Sequence, residues 1–199
     1  MVNSAYKAGL CTLVSTAICL LSAWSPPIYG QTSKENSNTF STEVNGARTL
    51  VLTGHSKAGL PVCTMHFAGK PFEMEVAATS AHRERGLGGR SQLLPNKGML
   101  FVHPSAALRS YWMKDCLFDM DLAYLDARGK IIAMYTMKKE PPKRPGESLR
   151  NYKNRLKKYL SNSPAQYAIE LQPGLMKKLG LRVGQVITLP HASLRGLTR

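Results

Sequence analysis

The chain is poor in the residues that metal chemistry and nucleophilic catalysis need. Its five histidines, His55, His66, His82, His103 and His191, are scattered, with no H-x-H pair and no i, i+4 pair. Two of the four cysteines lie in the first thirty residues, leaving Cys63 and Cys116, too few for a structural zinc site. No metal and no cofactor is expected. A G-x-S-x-G element is missing, and either cysteine with a distant histidine is unsupported as a nucleophile. The longest apolar run, Ala8 to Ala23, holds 16 residues with Thr and Ser interspersed, short of the ~20 a spanning helix needs. There is no internal repeat. Acidic residues are also scarce, 12 against 27 Lys and Arg, for a formal net charge of +15.

What is present begins with an export-like N-terminus. Lys7 supplies a positive flank, Ala8 to Ala23 an apolar region, and Ser25-Pro26-Pro27 a break before Gly30. Residues 1–30 therefore read as a signal peptide cleaved near Gly30. The alternative is a retained N-terminal anchor, because Ile28 and Tyr29 make an imperfect cleavage site. Neither Cys11 nor Cys19 sits as a lipoprotein site requires. The expected location is periplasmic or extracellular, membrane-anchored if the signal is retained. Without Lys7 the charges are 26 basic and 12 acidic, a net +14. That surplus favours anionic envelope components, lipid headgroups or polymers, as partners; export argues against nucleic acid. In an oxidising compartment Cys63 and Cys116 can bridge, closing a loop of roughly 50 residues worth about 3–4 kcal/mol. Two separate buried thiols are the other reading.

Residues 31–48 are polar and unpatterned and read as a flexible leader. Residues 49–190 read as one mainly-β domain, a compact β-barrel or β-sandwich with short peripheral helices, followed by a tail at 191–199. Thr49-Leu50-Val51-Leu52 predicts an edge strand. Val62–Phe67 and Phe72–Val76, around Ala68-Gly69-Lys70-Pro71, predict a hairpin. Thr79 reads as the N-cap of a helix from Ser80 to Arg85, ended by Gly86. Met99–Val102 has a buried-strand profile and Arg109–Met113 is strand-like. Asp121–Leu125 and Lys130–Met134 predict a second hairpin around Asp126-Ala127-Arg128-Gly129. Tyr167–Leu171 reads as a strand, Leu175–Leu179 as a helix before Gly180, and Val186–Leu189 as a closing strand.

One segment stands apart. Between Lys138 and Lys158 there are nine basic and two acidic residues, half of the net charge of the processed chain. Within the insertion at 141–160, Leu149, Tyr152, Leu156 and Tyr159 recur at near-helical spacing among Arg150, Lys153, Arg155, Lys157 and Lys158. This stripe predicts either a lid packed on the body or a helix that docks on an anionic surface, with peripheral membrane association.

The block Gly98-Met99-Leu100-Phe101, then Tyr111-Trp112-Met113-Lys114-Asp115, then Met120-Asp121 resembles the signature of a prokaryotic family, domain of unknown function 192. The family pattern reads G-M-L-F, then F-W-M-K-N-T, then P-L-D. Further matches are Val76-Ala77, Thr79, Arg83, Gly86-Leu87 and Arg90 upstream, and Ser161, Pro164-Ala165, Tyr167, Glu170-Leu171, Gly174, Gly180 and Gly184 downstream. The similarity spans 72–189. Departures are Gly88 for Met, Asp115 for Asn, Cys116 for Thr, Asp119 for Pro and Gln185 for Asp. The resemblance implies a small mainly-β protein, often exported, with no established activity or cofactor. Any shared mechanism needing an amide at Asp115 is compromised here.

The candidate binding residues are Arg83, Arg90, Trp112, Lys114, Asp115 and Asp121. Trp112 offers a stacking face and one N–H donor, Lys114 a positive charge, and Asp115, Asp119 and Asp121 acceptors. Together they could hold a small polar ligand. The plain alternative is structural: Trp112 filling the core, the aspartates capping loops, and Lys114 paired at the surface. Arg83, Arg85 and Arg90 flank Gly86-Leu87-Gly88-Gly89, a weak signal for an anion; Arg83 is expected to pair with Asp121 or Glu170. Two functions follow from this reading. The first is an exported, non-enzymatic ligand-binding or accessory module of the cell envelope. The second is a hydrolase of an envelope polymer, with Asp121 or Asp115 as base and Lys114 or Arg83 stabilising the anion.

Overall fold

The computed structural model describes residues 50–198. The signal-like segment and the whole leader lie outside the described residues. The elements are β1 (Leu52–His55), β2 (Pro61–Phe67), β3 (Lys70–Ala77), α1 (Ser80–Arg85), β4 (Lys97–Ala107), β5 (Ser110–Tyr111), β6 (Met120–Leu125) and β7 (Ile131–Met137). They continue with α2 (Leu149–Arg155), β8 (Tyr159–Leu160), β9 (Ala165–Leu171), α3 (Leu175–Lys178) and α4 (His191–Gly196).

Seven strands form one mixed sheet in the order β1-β2-β3-β4-β9-β6-β7, and β5 pairs with β8 in a separate ribbon. The fold is mainly β, as expected. The sheet does not close into a barrel; it is covered on both faces in a sandwich-like manner. One face carries Val76, Leu100, Val102, Ala123, Leu125, Tyr167 and Ile169 under Leu181, Ile187, Leu189 and Leu194. The other carries Ala77, Met99, Phe101, Leu122, Tyr124 and Ala168 under Leu87, Met113, Cys116 and Tyr159. Double coverage explains why β6 and β9 are buried at every position and read as runs rather than alternations.

Both hairpins form where their turn chemistry placed them. β2 and β3 are joined by Ala68 and Gly69, at φ 49° and 76°. β6 and β7 are joined through the Asp126–Gly129 turn, where Asp126 Oδ1 accepts from Arg128 N–H (2.8 Å) and Lys130 N–H (2.9 Å). The helix α1 starts on Thr79, whose hydroxyl accepts from His82 N–H, and ends at Gly86 (φ 49°). It carries the crossover between β3 and β4, which pair in parallel. Gly98 of the G-M-L-F run is required by close approach. A Cβ there would lie 2.6 Å from a Leu171 methyl and 2.8 Å from the Glu170 carbonyl oxygen.

Three expectations need correction. The edge strand starts later, at Leu52. Val186–Leu189 is no strand: it makes one isolated bridge, Lys130↔Val186, and its Ile187 and Leu189 plug the core instead. The tail is α4, held by buried Leu194. Of the two readings of the cysteines, the structure has the separate thiols: Cys63 and Cys116 are free, buried and belong to opposite faces of the sheet.

Candidate functional site

The end of α1, the middle of β4, the β5 strand and the loop after it line a cavity of about 410 Å³. Arg83, Trp112 and Lys114, three of the residues singled out in the sequence, all line it, together with Phe101, His103, Tyr111, Cys116 and Glu170.

Each lining residue is placed by a local cause. The N-capped turn of α1 aims Arg83 across the crossover, where its Nη1 donates to the carbonyls of Ala78 and Val102 (3.0 Å for the latter). The expected pairing of Arg83 with Asp121 or Glu170 does not occur; its Nη1 is taken up by two backbone acceptors instead. His103, at the outer part of β4, shares a hydrogen bond with the Tyr111 hydroxyl at 3.1 Å. Burial, followed by the charges of Arg109 and Arg83, lowers its pKa to about 3, so the ring is neutral. Burial also pushes the Tyr111 hydroxyl well above its ordinary value, and the Cys116 thiol up to about 12.

Glu170 sits on β9, pointing to the same sheet face as Met99 and Leu122, its neighbours across the strands. It is 5 % exposed and makes no side-chain hydrogen bond among the described residues. Burial raises its pKa to about 8 against the opposing pull of Arg90, so at neutral pH it is largely the uncharged acid. No buried side-chain oxygen among the described residues is sealed without a partner, so the unpaired carboxyl remains open to the cavity.

The rim is basic and tied down. Lys114 Nζ lies 2.5 Å from Asp115 Oδ2, a bond that raises the lysine pKa. Asp115 adopts a left-handed backbone (φ 57°), a conformation Asn and Asp both tolerate, which suits an acid at a position where the family pattern has Asn. Its N–H donates to the Tyr152 hydroxyl (2.9 Å), which donates to Asp115 Oδ1 (3.2 Å). Gly88 packs against the Lys114 carbonyl, 3.3 Å from where a Cβ would sit, so the larger residue of the pattern would crowd this loop.

Tyr152 belongs to the basic insertion, which caps this end of the molecule. Tyr152, Leu156 and Tyr159 are buried and Leu149 is exposed, so most of the apolar stripe packs on the body as a lid; only Leu149–Arg155 is helical. Lys158 Nζ lies 3.7 Å and Lys153 Nζ 5.8 Å from the Trp112 ring centroid, and Lys153 pairs with Glu84 at 3.2 Å. Arg155 pairs with Glu147 and donates to the carbonyls of Pro141 and Pro142, while Lys157 Nζ lies over the Tyr159 ring. Arg150 alone of the five basic candidates makes no such contact among the described residues.

Two candidates fall elsewhere. Arg90 forms a two-pronged ion pair with Glu75 beside a separate cavity. Asp121, 3 % exposed, points to the opposite sheet face, where one oxygen accepts from the Thr136 hydroxyl (2.7 Å) and the other from Met176 N–H (3.0 Å). Both oxygens are committed, one to β7 and the other to anchoring α3 on the sheet. Asp119 likewise accepts from Lys138 Nζ and Lys139 N–H. Among the described residues no cluster of three metal-ligating side chains forms.

Glu170 and His103 were missed in the sequence reading. The signal for Glu170 was there: a charge inside the otherwise apolar run Tyr167–Leu171. His103, following Val102 directly, gave none.

Among solved structures, the chain is similar to a protein from Sinorhizobium meliloti 1021 provisionally described as a transcription regulator, with 26% identity and a TM-score of 0.50, covering 64% of this chain and 90% of that one. It is also similar to a protein of unknown function from Novosphingobium aromaticivorans DSM 12444, with 19% identity and a TM-score of 0.56, covering 75% and 100%. No curated protein matches. The family model for domain of unknown function 192, described as "Uncharacterized ACR", matches residues 63–189. That match takes in well over half of the chain, and the chain belongs to this family.

Proposed function

We propose that the protein is an exported ligand-binding module of the cell envelope, and that its site is the pocket beneath Trp112. One observation carries the binding reading: an unpaired, nearly buried carboxyl, Glu170, faces a 410 Å³ cavity that also gathers Arg83, Trp112 and Lys114. An ordinary core does not leave such a group without a partner. Cavities of this size, mostly apolar with a few convergent polar groups, are the usual form of a small-molecule site. Export is supported by the signal-like segment around Lys7 and Ala8–Ala23, and envelope association by the basic surplus.

Two measurements test the parts separately. Protein recovered from envelope fractions is expected to carry a small molecule, detectable by mass spectrometry after denaturation, that the Trp112→Ala variant lacks. Equal recovery from both proteins would remove the pocket from the reading. Binding to anionic vesicles at low salt, weakened at high salt and absent on neutral vesicles, is expected of the envelope part. Indifference to vesicle charge would remove that part.

A further inference from the structure

We propose that the Trp112 pocket takes a small organic anion with a flat apolar body, and that Glu170 must be uncharged for the anion to enter. This inference rests on the ligand-binding reading and adds the charge of the ligand and the condition for its entry.

The ligand's sign follows from the charge count at the mouth. Arg83, Arg85 and Lys114 line the cavity, and Lys153 and Lys158 stand over Trp112. Only Glu84 and Asp115 oppose them, and each is already paired, with Lys153 and Lys114 respectively. Arg85 has no ionic partner among the described residues. Arg83 spends Nη1 on two carbonyls, leaving the rest of its fork available. The mouth therefore holds more positive charge than it neutralises. Its walls, Leu87, Phe101, Tyr111 and Trp112, are flat or apolar, suited to a planar body rather than a hydrated ion.

The floor sets the condition. As the neutral acid, Glu170 can donate its O–H to an acceptor on the ligand; as a carboxylate it repels an anion across a poorly solvated space. The groups around it do not change this sign. Arg90 favours the carboxylate but is held by Glu75. Tyr111, Tyr124 and Cys116 are pushed toward their neutral forms by burial, and His103 in the same cavity is neutral. Arg83 and Lys114 remain charged at the mouth. Entry of an anion would raise the Glu170 pKa above its value of about 8, so binding takes up a proton at alkaline pH.

The test uses the full chain and three matched probes: benzoate, benzyl alcohol and benzyltrimethylammonium. Each is titrated from pH 6 to 9.5, followed by the Trp112 indole NMR signal and by calorimetry. Benzoate is expected to bind best, with level affinity between pH 6 and 7 and a fall of about tenfold by pH 9. Glu170→Gln is expected to bind benzoate with no such fall. Should that variant fail to fold, wild-type calorimetry at pH 8.5 in buffers of different ionisation enthalpy replaces it, with proton uptake expected. A preference for the cation that grows with pH, or equal binding of the alcohol, would overturn the anion assignment and leave the ligand-binding reading standing. An unchanged fall in Glu170→Gln, or no proton uptake, would overturn the role of Glu170. No response of Trp112 to any probe would overturn both.

Discussion

Single residues in this protein separate into anchors and pocket groups by whether their polar atoms are satisfied. Asp121 is an anchor, with both oxygens accepting hydrogen bonds that fasten α3 and β7 to β6. Asp121→Ala should lower stability by about 2–4 kcal/mol, read as a shifted urea midpoint, because two buried bonds to a charged acceptor are lost together. Unchanged stability with lost function would instead restore Asp121 to the site. Gly98 is an anchor of another kind. In Gly98→Ala the new methyl would lie under 3 Å from Leu171, Met74 and the Glu170 carbonyl, spreading β4 from its neighbours. A loss of about 3 kcal/mol in chemical unfolding is expected. Both residues were visible in the signature block, but their roles were not. Sequence marks Gly98 and Asp121 as unusual without telling which face of the sheet each serves, and the two faces have different purposes here.

Elements governed by local chemistry were legible, and those governed by distant contacts were not. The span of α1 was readable from Thr79 and Gly86 because capping involves residues three or four apart. The β2–β3 and β6–β7 hairpins were readable for the same reason. The strand order was hidden, since nothing local places β9 between β4 and β6. The lid was half legible: its stripe was periodic, yet α2 ends at Arg155 and β8 takes Tyr159, because pairing with Ser110–Tyr111 outcompetes the helix. The lid's grip on the rim runs through the Tyr152 hydroxyl. Tyr152→Phe should therefore speed amide hydrogen exchange across 149–156 by about tenfold, with little change in the global unfolding midpoint. In the β2–β3 turn, Ala68 holds a positive φ that suits Asn better. Ala68→Asn should raise the thermal midpoint by a few degrees, equivalent to about 1 kcal/mol.

At the scale of the whole molecule, two buried groups on one side of the sheet shape stability against pH. Glu170 is raised from 4.5 to about 8, so its contribution is complete below pH 4.5 and disappears as pH rises through 8. His103 is lowered from 6.5 to about 3, so its contribution is complete above 6.5 and disappears as pH falls toward 3. Between 4.5 and 6.5 the two slopes, each about 1.4 kcal/mol per unit, cancel. The unfolding free energy should thus be level there and fall by about 2 kcal/mol from pH 6.5 to 8. Denaturant titrations across this range should show that fall, and Glu170→Gln should abolish it. The position of β9 has one more consequence, for the order in which the chain can assemble. β4 and β6 share no hydrogen bonds with each other; each waits for a strand that emerges from the ribosome some forty residues after β6 has been made. A nascent polypeptide made up to residue 160 holds the β1–β4 group and the β6–β7 hairpin without the strand that joins them, so the two parts of the sheet stay apart until β9 arrives.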